Sequence, residues 1–174
     1  MKHIQLPLTK ETMKDLKTGD LIYLSGELYT ARDAAHKRLF EMIQNNESLP
    51  FDLQDATIYY VGPTPTQPGH TFGSAGPTTS ARMDAYAPTL YDLGVSCTIG
   101  KGYRSSAVKD SIIKNQALYA VAIGGAGALL GKCIKKAEPV AFADLGAEAI
   151  LKLTVENFPV TIALDAQGTN LYQR

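Results

Sequence analysis

Residues 95–123, VSCTIGKGYRSSAVKDSIIKNQALYAVAI, contain two short apolar segments on either side of a stretch with helical character. The apolar segments, VSCTI and LYAVAI, are rich in β-branched and aromatic residues, which is typical of buried strands. The turn GKGYRSS separates the first segment from the helix AVKDSIIKNQ. A strand, a helix and a second strand in this order predict that the two strands pair in parallel, and they indicate an α/β fold.

The sequence before this segment alternates in the same way. Residues 1–9 predict a strand, TKETMKDLK predicts a short helix capped by Thr9, and DLIYLSGELYTA predicts either a hairpin or a strand that bends at Ser25-Gly26. The stretch RDAAHKRLFEMIQNN has apolar residues at helical spacing, and ATIYYVG has the composition of a buried strand. A further helix is expected over about residues 80–93.

The C-terminal part predicts more strands. The stretch GGAGALLGK predicts a turn and a short helix, and residues 152–173 predict two or three strands with a β-hairpin at Ala-Gln-Gly. We therefore expect an α/β fold with a layered mixed sheet and flanking helices. The length is that of one domain, over residues 1–174.

The charge balance argues against two classes of partner. The chain has 17 Lys and Arg residues and 17 Asp and Glu residues, so its formal net charge is zero. Proteins that bind nucleic acid or membrane surfaces generally carry a basic excess, so we expect neither partner. A local basic site for a small anion remains compatible with this balance.

The two cysteines, Cys97 and Cys133, lie in apolar surroundings, and the sequence has no CxxC motif or Cys/His cluster. We therefore predict two reduced, buried thiols and no metal site: neither structural zinc nor a complete iron–sulfur site within this chain. The N-terminal residues lack an apolar signal region, and no apolar run approaches the length of a membrane span. A cytoplasmic location is the expectation.

Residues 62–79, GPTPTQPGHTFGSAGPTT, form a long connection rich in proline and glycine. A connection of this length inside a compact domain usually has a function. The alternative is a linker between domains, but the segment lacks the Gly/Ser composition of a flexible linker.

Three glycine-bearing turns each follow a predicted strand and precede a predicted helix, a geometry that points backbone N–H groups at an anion. A phosphate-binding P-loop does not fit, because five residues separate Gly94 from Gly100 and Gly102 occupies the position of the hydroxyl residue. A dinucleotide fingerprint does not fit either. Ser105 replaces its third glycine, and no acidic residue follows the next strand.

Cations stand beside these turns. Arg32 and Arg82 open predicted helices, and Lys101 and Arg104 flank the third turn. Each one alone could be a solvated surface charge, but a cation at a helix start opposes the macrodipole. Rules broken in this way tend to mark function. Because a guanidinium binds a carboxylate through two parallel hydrogen bonds, two arginines suit a small dicarboxylate.

Three other side chains leave alternatives open. Thr78 and Thr79 precede a predicted helix, so one of them could cap it, or a hydroxyl could point at the ligand and accept a proton beside Arg82 and Lys101. His36 could be an acid or base, or a histidine that only packs on a helix face.

Five segments together resemble one family. They resemble the β subunit of class I, iron–sulfur-dependent fumarases and L(+)-tartrate dehydratases, which in single-chain members is the C-terminal domain. The likeness covers about residues 5–172, and its motifs are ARDAAH, IYYVGPTP, GSAGPTTSARMD, IGKGYRS and AIGGAGALL.

The resemblance implies a swivelling β/β/α domain. It would dock on an α subunit or N-terminal domain that carries a 4Fe–4S cluster on three cysteines, in an α2β2 heterotetramer. One iron of that cluster acts as a Lewis acid on the substrate hydroxyl. The implied reaction is the reversible hydration of fumarate to (S)-malate, and the alternative is the dehydration of L(+)-tartrate to oxaloacetate. The chain alone would then be catalytically incomplete.

By matching motif, the resemblance also implies residue roles. Arg32 and Arg82 would bind substrate carboxylate, and Thr78 would accept a proton at the carbon next to that carboxylate. Lys101, matched through IGKG where single-chain fumarases have a slightly longer run, would bind substrate or stabilise the negative charge on the threonine.

Two other classes remain as rivals. One is a non-catalytic module that binds an anion with the same fold, and the other is a nucleotide-binding α/β domain. The presence of all four motif residues favours the enzyme subunit.

Overall fold

The strands form one seven-stranded mixed sheet in the order β1-β2-β3-β4-β5-β7-β6. The structure is a computed structural model and describes residues 2–63, 68, 72–123 and 126–173. Strand β2 also pairs with β7, so β2, β3, β4, β5 and β7 close into a small barrel-like sheet. The strands are β1 (Lys2–Gln5), β2 (Leu21–Thr30), β3 (Thr57–Tyr59), β4 (Cys97–Gly100), β5 (Leu118–Val121), β6 (Ile134–Ala141) and β7 (Ile150–Leu164).

Five α-helices and two 3-10 helices connect the strands within the described residues. Thr9 caps the first helix through its side chain, as predicted. The α-helices are α1 (Lys10–Met13), α2 (Asp33–Gln44), α3 (Ala87–Asp92), α4 (Ser106–Asn115) and α5 (Gly127–Lys132), and the 3-10 helices span Ser80–Met83 and Ala143–Glu148.

The predicted parallel pairing is confirmed. Strands β1 to β5 pair in parallel, and β7 runs antiparallel to β2, β5 and β6. The predicted α/β class, with a layered mixed sheet and flanking helices, is therefore confirmed. The alternation of strands and helices in the middle of the chain produces the parallel part, because parallel neighbours need a crossover connection.

Side chains alternate between two cores. Along β3, Tyr59 packs into one apolar cluster with Ile99 and Phe158. Ile58 points to the opposite face, where a second cluster joins the sheet to apolar residues of α2, α3 and α4. The helices are thus held on one face of the central strands by the period-two alternation of a strand.

The structure decides between two alternatives at Ser25-Gly26 and corrects two other predictions of local structure. The segment around Ser25-Gly26 is one bent strand, because Gly26 adopts φ +127° at a shift in register with β7. The helix expected over residues 80–93 is a four-residue 3-10 helix, a turn and the short α3. The C-terminal strands are one 15-residue strand, and the predicted turn joins only an isolated bridge between Leu164 and Asn170.

Strand β6 was missed by the sequence patterns. It pairs only with β7 at the end of the sheet, and its central residues carry charges and Pro139. Such residues are typical of a protected edge strand, where no second neighbour requires a backbone N–H. Part of the proline- and glycine-rich connection, residues 64–67 and 69–71, lies outside the described residues, as do residues 124–125 of the predicted turn before α5.

Candidate functional site

The four residues assigned by motif meet at one edge of the sheet. Strands β2, β3 and β4 are parallel neighbours, so their carboxyl ends share this edge. Arg32 follows β2, and Lys101 follows β4 directly. The segment 78–82 crosses the same edge: the Thr78 N–H donates to the Tyr60 carbonyl at 2.7 Å, and Thr79 forms a parallel bridge with Lys101. Open α/β sheets bind ligands at this end of their strands.

Two glycines allow close approaches between segments in this region. A Cβ atom at Gly100 would collide with the Ser80 hydroxyl, and one at Gly127 would lie 3.0 Å from the Gly76 nitrogen. Only glycine fits at such close backbone approaches. Gly100 therefore lets segment 78–82 lie beside the strand ends, and Gly127 lets α5 pack against residues 74–76.

Arg32 occupies the N-cap position of α2 with an extended backbone. Its guanidinium lies over Gly62, where any Cβ atom would collide with it. Its Nε is buried and has no hydrogen-bond partner within the described residues. A buried N–H without an acceptor is costly, so this donor suits an acceptor that arrives from outside the chain.

Arg82 does not open a long helix, so the predicted conflict with a helix dipole is wrong. It lies near the end of the 3-10 helix Ser80–Met83 and binds a carboxylate of α2. Its Nε donates to Asp33 Oδ2 at 3.0 Å, and its Nη2 contacts the same oxygen. The Arg82 side chain remains 49% exposed, so the other N–H groups of its fork are open to a ligand.

Lys101 is exposed, and its ammonium group forms no hydrogen bond or ion pair with the part of the chain that the structure describes. Its backbone, in contrast, is held on both sides. The Lys101 N–H donates to the Thr78 carbonyl at 3.3 Å, and the Lys101 carbonyl accepts from the Ser80 N–H at 2.9 Å. A positioned backbone with an unpaired cation is compatible with ligand binding.

Neither threonine caps a helix through its side chain. Thr79 is at the N-cap position of the 3-10 helix, but its hydroxyl makes no capping hydrogen bond. Thr78 is half-buried, and among the described residues its backbone is bonded to Tyr60 and Lys101 while its hydroxyl has no partner. The capping alternative is therefore wrong for both residues.

Arg104 differs from the other three cations. It is 7% exposed, and its Nε donates to Asp84 Oδ1 at 2.6 Å. Burial alone would lower its pKa, but nearby Tyr60, Tyr91 and Asp84 outweigh this and raise the pKa above its ordinary value. Arg104 does flank the third turn, but the alternative that it is a solvated surface charge is wrong, because its side chain is buried.

His36 is fully buried and neutral. Its Nδ1 lies 2.8 Å from the Arg32 carbonyl, so Nδ1 carries the proton, while Nε2 is buried without a hydrogen-bond partner in the described chain. Burial lowers its pKa to about 4, and the hydrogen bond to Arg32 partly opposes this. The ring packs against Tyr60 and Tyr86, so the structure favours the packing role that the sequence left open.

The cysteines do not suit a cluster. Both are free, but only Cys97 is buried, and burial raises its pKa to about 12. Cys133 is half-buried, so the prediction of two buried thiols is wrong for this residue. No group of three His, Cys, Asp or Glu side chains within the described ranges could hold a metal ion. Because cluster ligands must be thiolates, the residues described here do not fit a 4Fe–4S site.

The fold is α/β, with Arg32, Arg82 and Lys101 near one edge of its sheet, and comparison with known proteins gives its family. The family model described as Fumarase C-terminus matches residues 1–174, so the chain belongs to this family. In the part of the chain that the structure describes, no helix has the length and apolar character that a membrane span needs.

Three relatives show the range of the family. A Methanocaldococcus jannaschii protein with the provisional name L(+)-tartrate dehydratase subunit beta is 40% identical over 95% of this chain and 88% of its own length. Fumarate hydratase 2 of Leishmania major is 40% identical over 95% of this chain, and the aerobic class I fumarate hydratase of Escherichia coli K12 is 42% identical over 87%. The chain spans only 29% and 28% of those two fumarate hydratases.

Proposed function

We propose that this chain, as one domain over residues 1–174, supplies the β-subunit half of a hydro-lyase active site. The reaction is the reversible hydration of fumarate to (S)-malate, and the other half of the site lies on an α subunit in an α2β2 heterotetramer. One observation carries the proposal: Arg32, Thr78, Arg82 and Lys101 meet at the carboxyl ends of β2, β3 and β4.

The two arginines suit a substrate with carboxylates. Arg32 offers a buried Nε–H without an acceptor in the described chain, and Arg82 keeps part of its fork open although Asp33 holds it. A carboxylate between them would satisfy the first donor and form charge-assisted hydrogen bonds with both. Asp33 orients the Arg82 fork in advance, which reduces the entropy lost on binding.

Thr78 and Lys101 suit the proton transfer. A threonine hydroxyl is a poor base, so accepting a proton at the carbon next to the carboxylate requires a nearby cation that stabilises the alkoxide. Lys101 is an unpaired cation among the described residues, and its backbone bonds directly to the Thr78 carbonyl. The two residues are therefore adjacent on neighbouring segments of the site.

The 4Fe–4S cluster is proposed to belong to the α subunit, since the residues described in this chain do not fit its ligands. Such a cluster supplies Lewis-acid chemistry at the substrate hydroxyl. This chain would contribute Arg32 and Arg82, which bind the substrate carboxylate, and Thr78, which accepts the proton.

A second candidate is the β subunit of L(+)-tartrate dehydratase, which forms oxaloacetate. It is favoured by the Methanocaldococcus jannaschii relative, since the alignment covers 88% of that protein against less than a third of the two fumarate hydratases. Malate and tartrate each carry two carboxylates and differ by one hydroxyl, so Arg32 and Arg82 could bind the carboxylates of either.

The test is anaerobic reconstitution. The purified full chain should show no hydratase activity alone, and it should gain activity when co-expressed with a cluster-bearing α subunit and assayed with fumarate, malate and both tartrates. Turnover of tartrate only would assign the second candidate. Hydration of fumarate by the chain alone would exclude the divided site, and dicarboxylate binding without turnover in the complex would indicate a non-catalytic module.

A further inference from the structure

We propose that Arg104 is a positioning residue that holds segments 78–84 and 101–105 against the sheet, and so sets Thr78, Arg82 and Lys101 relative to one another. The catalytic consequence rests on the proposed function, but the holding role does not. Arg104 does not bond to Arg32 or Arg82, which are proposed to bind the substrate carboxylate. It acts by positioning the segments that carry Thr78, Arg82 and Lys101.

The guanidinium of Arg104 binds in three directions. Its Nε donates to Asp84 Oδ1 at 2.6 Å, its Nη1 to Thr98 Oγ1 at 3.0 Å and its Nη2 to the Tyr60 hydroxyl at 3.2 Å. Its side chain is wholly buried, so no substrate can reach it. The planar fork thus joins strand β4 and the residue directly after β3 to the segment that ends at Asp84.

Asp84 ties the two segments to each other. One of its oxygens accepts from Arg104 Nε, and the other accepts from the Ser105 backbone N–H at 2.8 Å. Asp84 is the residue directly after the 3-10 helix that contains Arg82. Through this one carboxylate, the end of segment 78–84 is bound to the end of segment 101–105.

Tyr60 connects Arg104 to the proposed base. Its hydroxyl accepts from Arg104 Nη2, and the guanidinium carbon lies 5.2 Å from its ring centre. The backbone carbonyl of Tyr60 accepts from the Thr78 N–H at 2.7 Å. A displacement of Tyr60 would therefore move the backbone that carries the Thr78 hydroxyl.

Tyr119 is a second aromatic neighbour of the guanidinium. Arg104 lies 4.7 Å from its ring centre, a cation–π distance. The Tyr119 hydroxyl donates to the Gly102 carbonyl at 2.6 Å and lies 2.7 Å from Ser80 Oγ. Tyr119 thus contacts both segments: at Gly102, the residue after Lys101, and at Ser80, two residues after Thr78.

Lysine cannot reproduce this arrangement, because it carries a point charge in place of a planar fork with five N–H groups. In the assembled enzyme, we expect Arg104→Lys to lower kcat by about 10- to 100-fold, since a misplacement of about 1 Å at a reacting group has effects of this size. KM should change by a smaller factor than kcat, because Arg32 is not bonded to Arg104 and still binds one substrate carboxylate. The matched control is Arg38→Lys, which alters an exposed bidentate pair with Asp144 on another surface.

A readout independent of catalysis is amide hydrogen exchange of the full chain. The Ser80 and Lys101 N–H groups bond between the two held segments, and the Thr78 N–H bonds to Tyr60. Arg104→Lys should therefore accelerate the exchange of these three amides at least tenfold, while amides of β2 keep their rates. Tyr119→Phe removes only one hydroxyl and should show a smaller effect at the same amides. If Arg104→Lys does not fold, Tyr119→Phe is used in its place for both the kinetics and the hydrogen exchange.

Three outcomes would overturn the proposal. They are unchanged exchange at these three amides, an equal acceleration in β2 that indicates general destabilisation, and a kcat of Arg104→Lys equal to that of Arg38→Lys. If the assembled wild-type protein has no hydratase activity, the proposed function fails, and the exchange rates still decide whether Arg104 holds the two segments.

Discussion

Two Arg–Asp pairs stand close together in this protein and differ in burial. Arg82 binds Asp33 with side chains that are 49% and 38% exposed. Arg104 binds Asp84 with side chains that are 0% and 14% exposed. The chemical groups are the same, and each pair joins segment 80–84 to another part of the chain. The difference is that both members of the first pair are open to water, whereas the Arg104 guanidinium of the second pair is wholly buried.

Burial decides what each pair can do. A solvent-exposed pair contributes about 0–1 kcal/mol, so a substrate carboxylate can share Arg82 at little cost to the fold. A buried pair cannot be opened cheaply, because either partner left alone is an uncompensated charge away from water. The buried pair is therefore suited to fix geometry, and the exposed pair is suited to bind and release.

The largest expected effect is on stability. Asp84→Ala leaves Arg104 buried and unpaired, so we expect the free energy of unfolding of the full chain to fall by about 3–5 kcal/mol. Asp33→Ala, the matched variant of the exposed pair, should cost less than about 1 kcal/mol. Urea denaturation followed by circular dichroism measures both. Equal losses in the two variants would remove the distinction between the pairs.

The next effect is on pH dependence, at a buried histidine whose pKa is influenced by one member of each pair. Burial lowers the pKa of His36 to about 4, the charge of Arg104 also lowers it, and the charge of Asp33 raises it. As the pH falls, His36 is protonated in the unfolded chain near pH 6.5 but in the folded chain only near pH 4. The contribution of neutral His36 to the free energy of unfolding is therefore fully present above pH 6.5 and is lost as the pH drops toward 4. We expect a loss of up to about 3 kcal/mol over this window.

Urea denaturation at several pH values measures this loss. The variant His36→Gln has no titrating ring and should show a flatter profile between pH 4 and 6.5. An identical profile in the variant and the wild type would mean that His36 is not the group responsible.

The smallest expected effect is confined to activity. Arg82→Lys keeps the charge but loses the planar fork, so kcat/KM of the assembled enzyme should fall by about 10- to 100-fold, or about 1.4–2.8 kcal/mol. The free energy of unfolding should change by less than about 1 kcal/mol. Steady-state kinetics and denaturation of the same preparation measure both quantities. Normal kinetics would exclude the carboxylate grip assigned to Arg82.

Much of the fold could be predicted because its signals are local. The parallel central strands follow from alternating strand and helix patterns, and the Thr9 cap follows from one residue before a helical stretch. Strand β6 could not be predicted, because Pro139 and its charged neighbours are tolerated only at a sheet edge. The 15-residue β7 depends on pairing with three partners far apart in sequence, which no local pattern contains.

The candidate site divides in the same way. By itself, the sequence determined the residue types and motifs at the ends of successive strands, including Arg32, Thr78, Arg82 and Lys101, and through them the family. Only the tertiary structure decided that Arg82 faces solvent beside Asp33 while Arg104 points inward to Asp84. In the linear sequence, both are arginines in glycine-rich turns. Their difference arises from burial, which depends on how distant segments pack and which sets the strength of a charge pair.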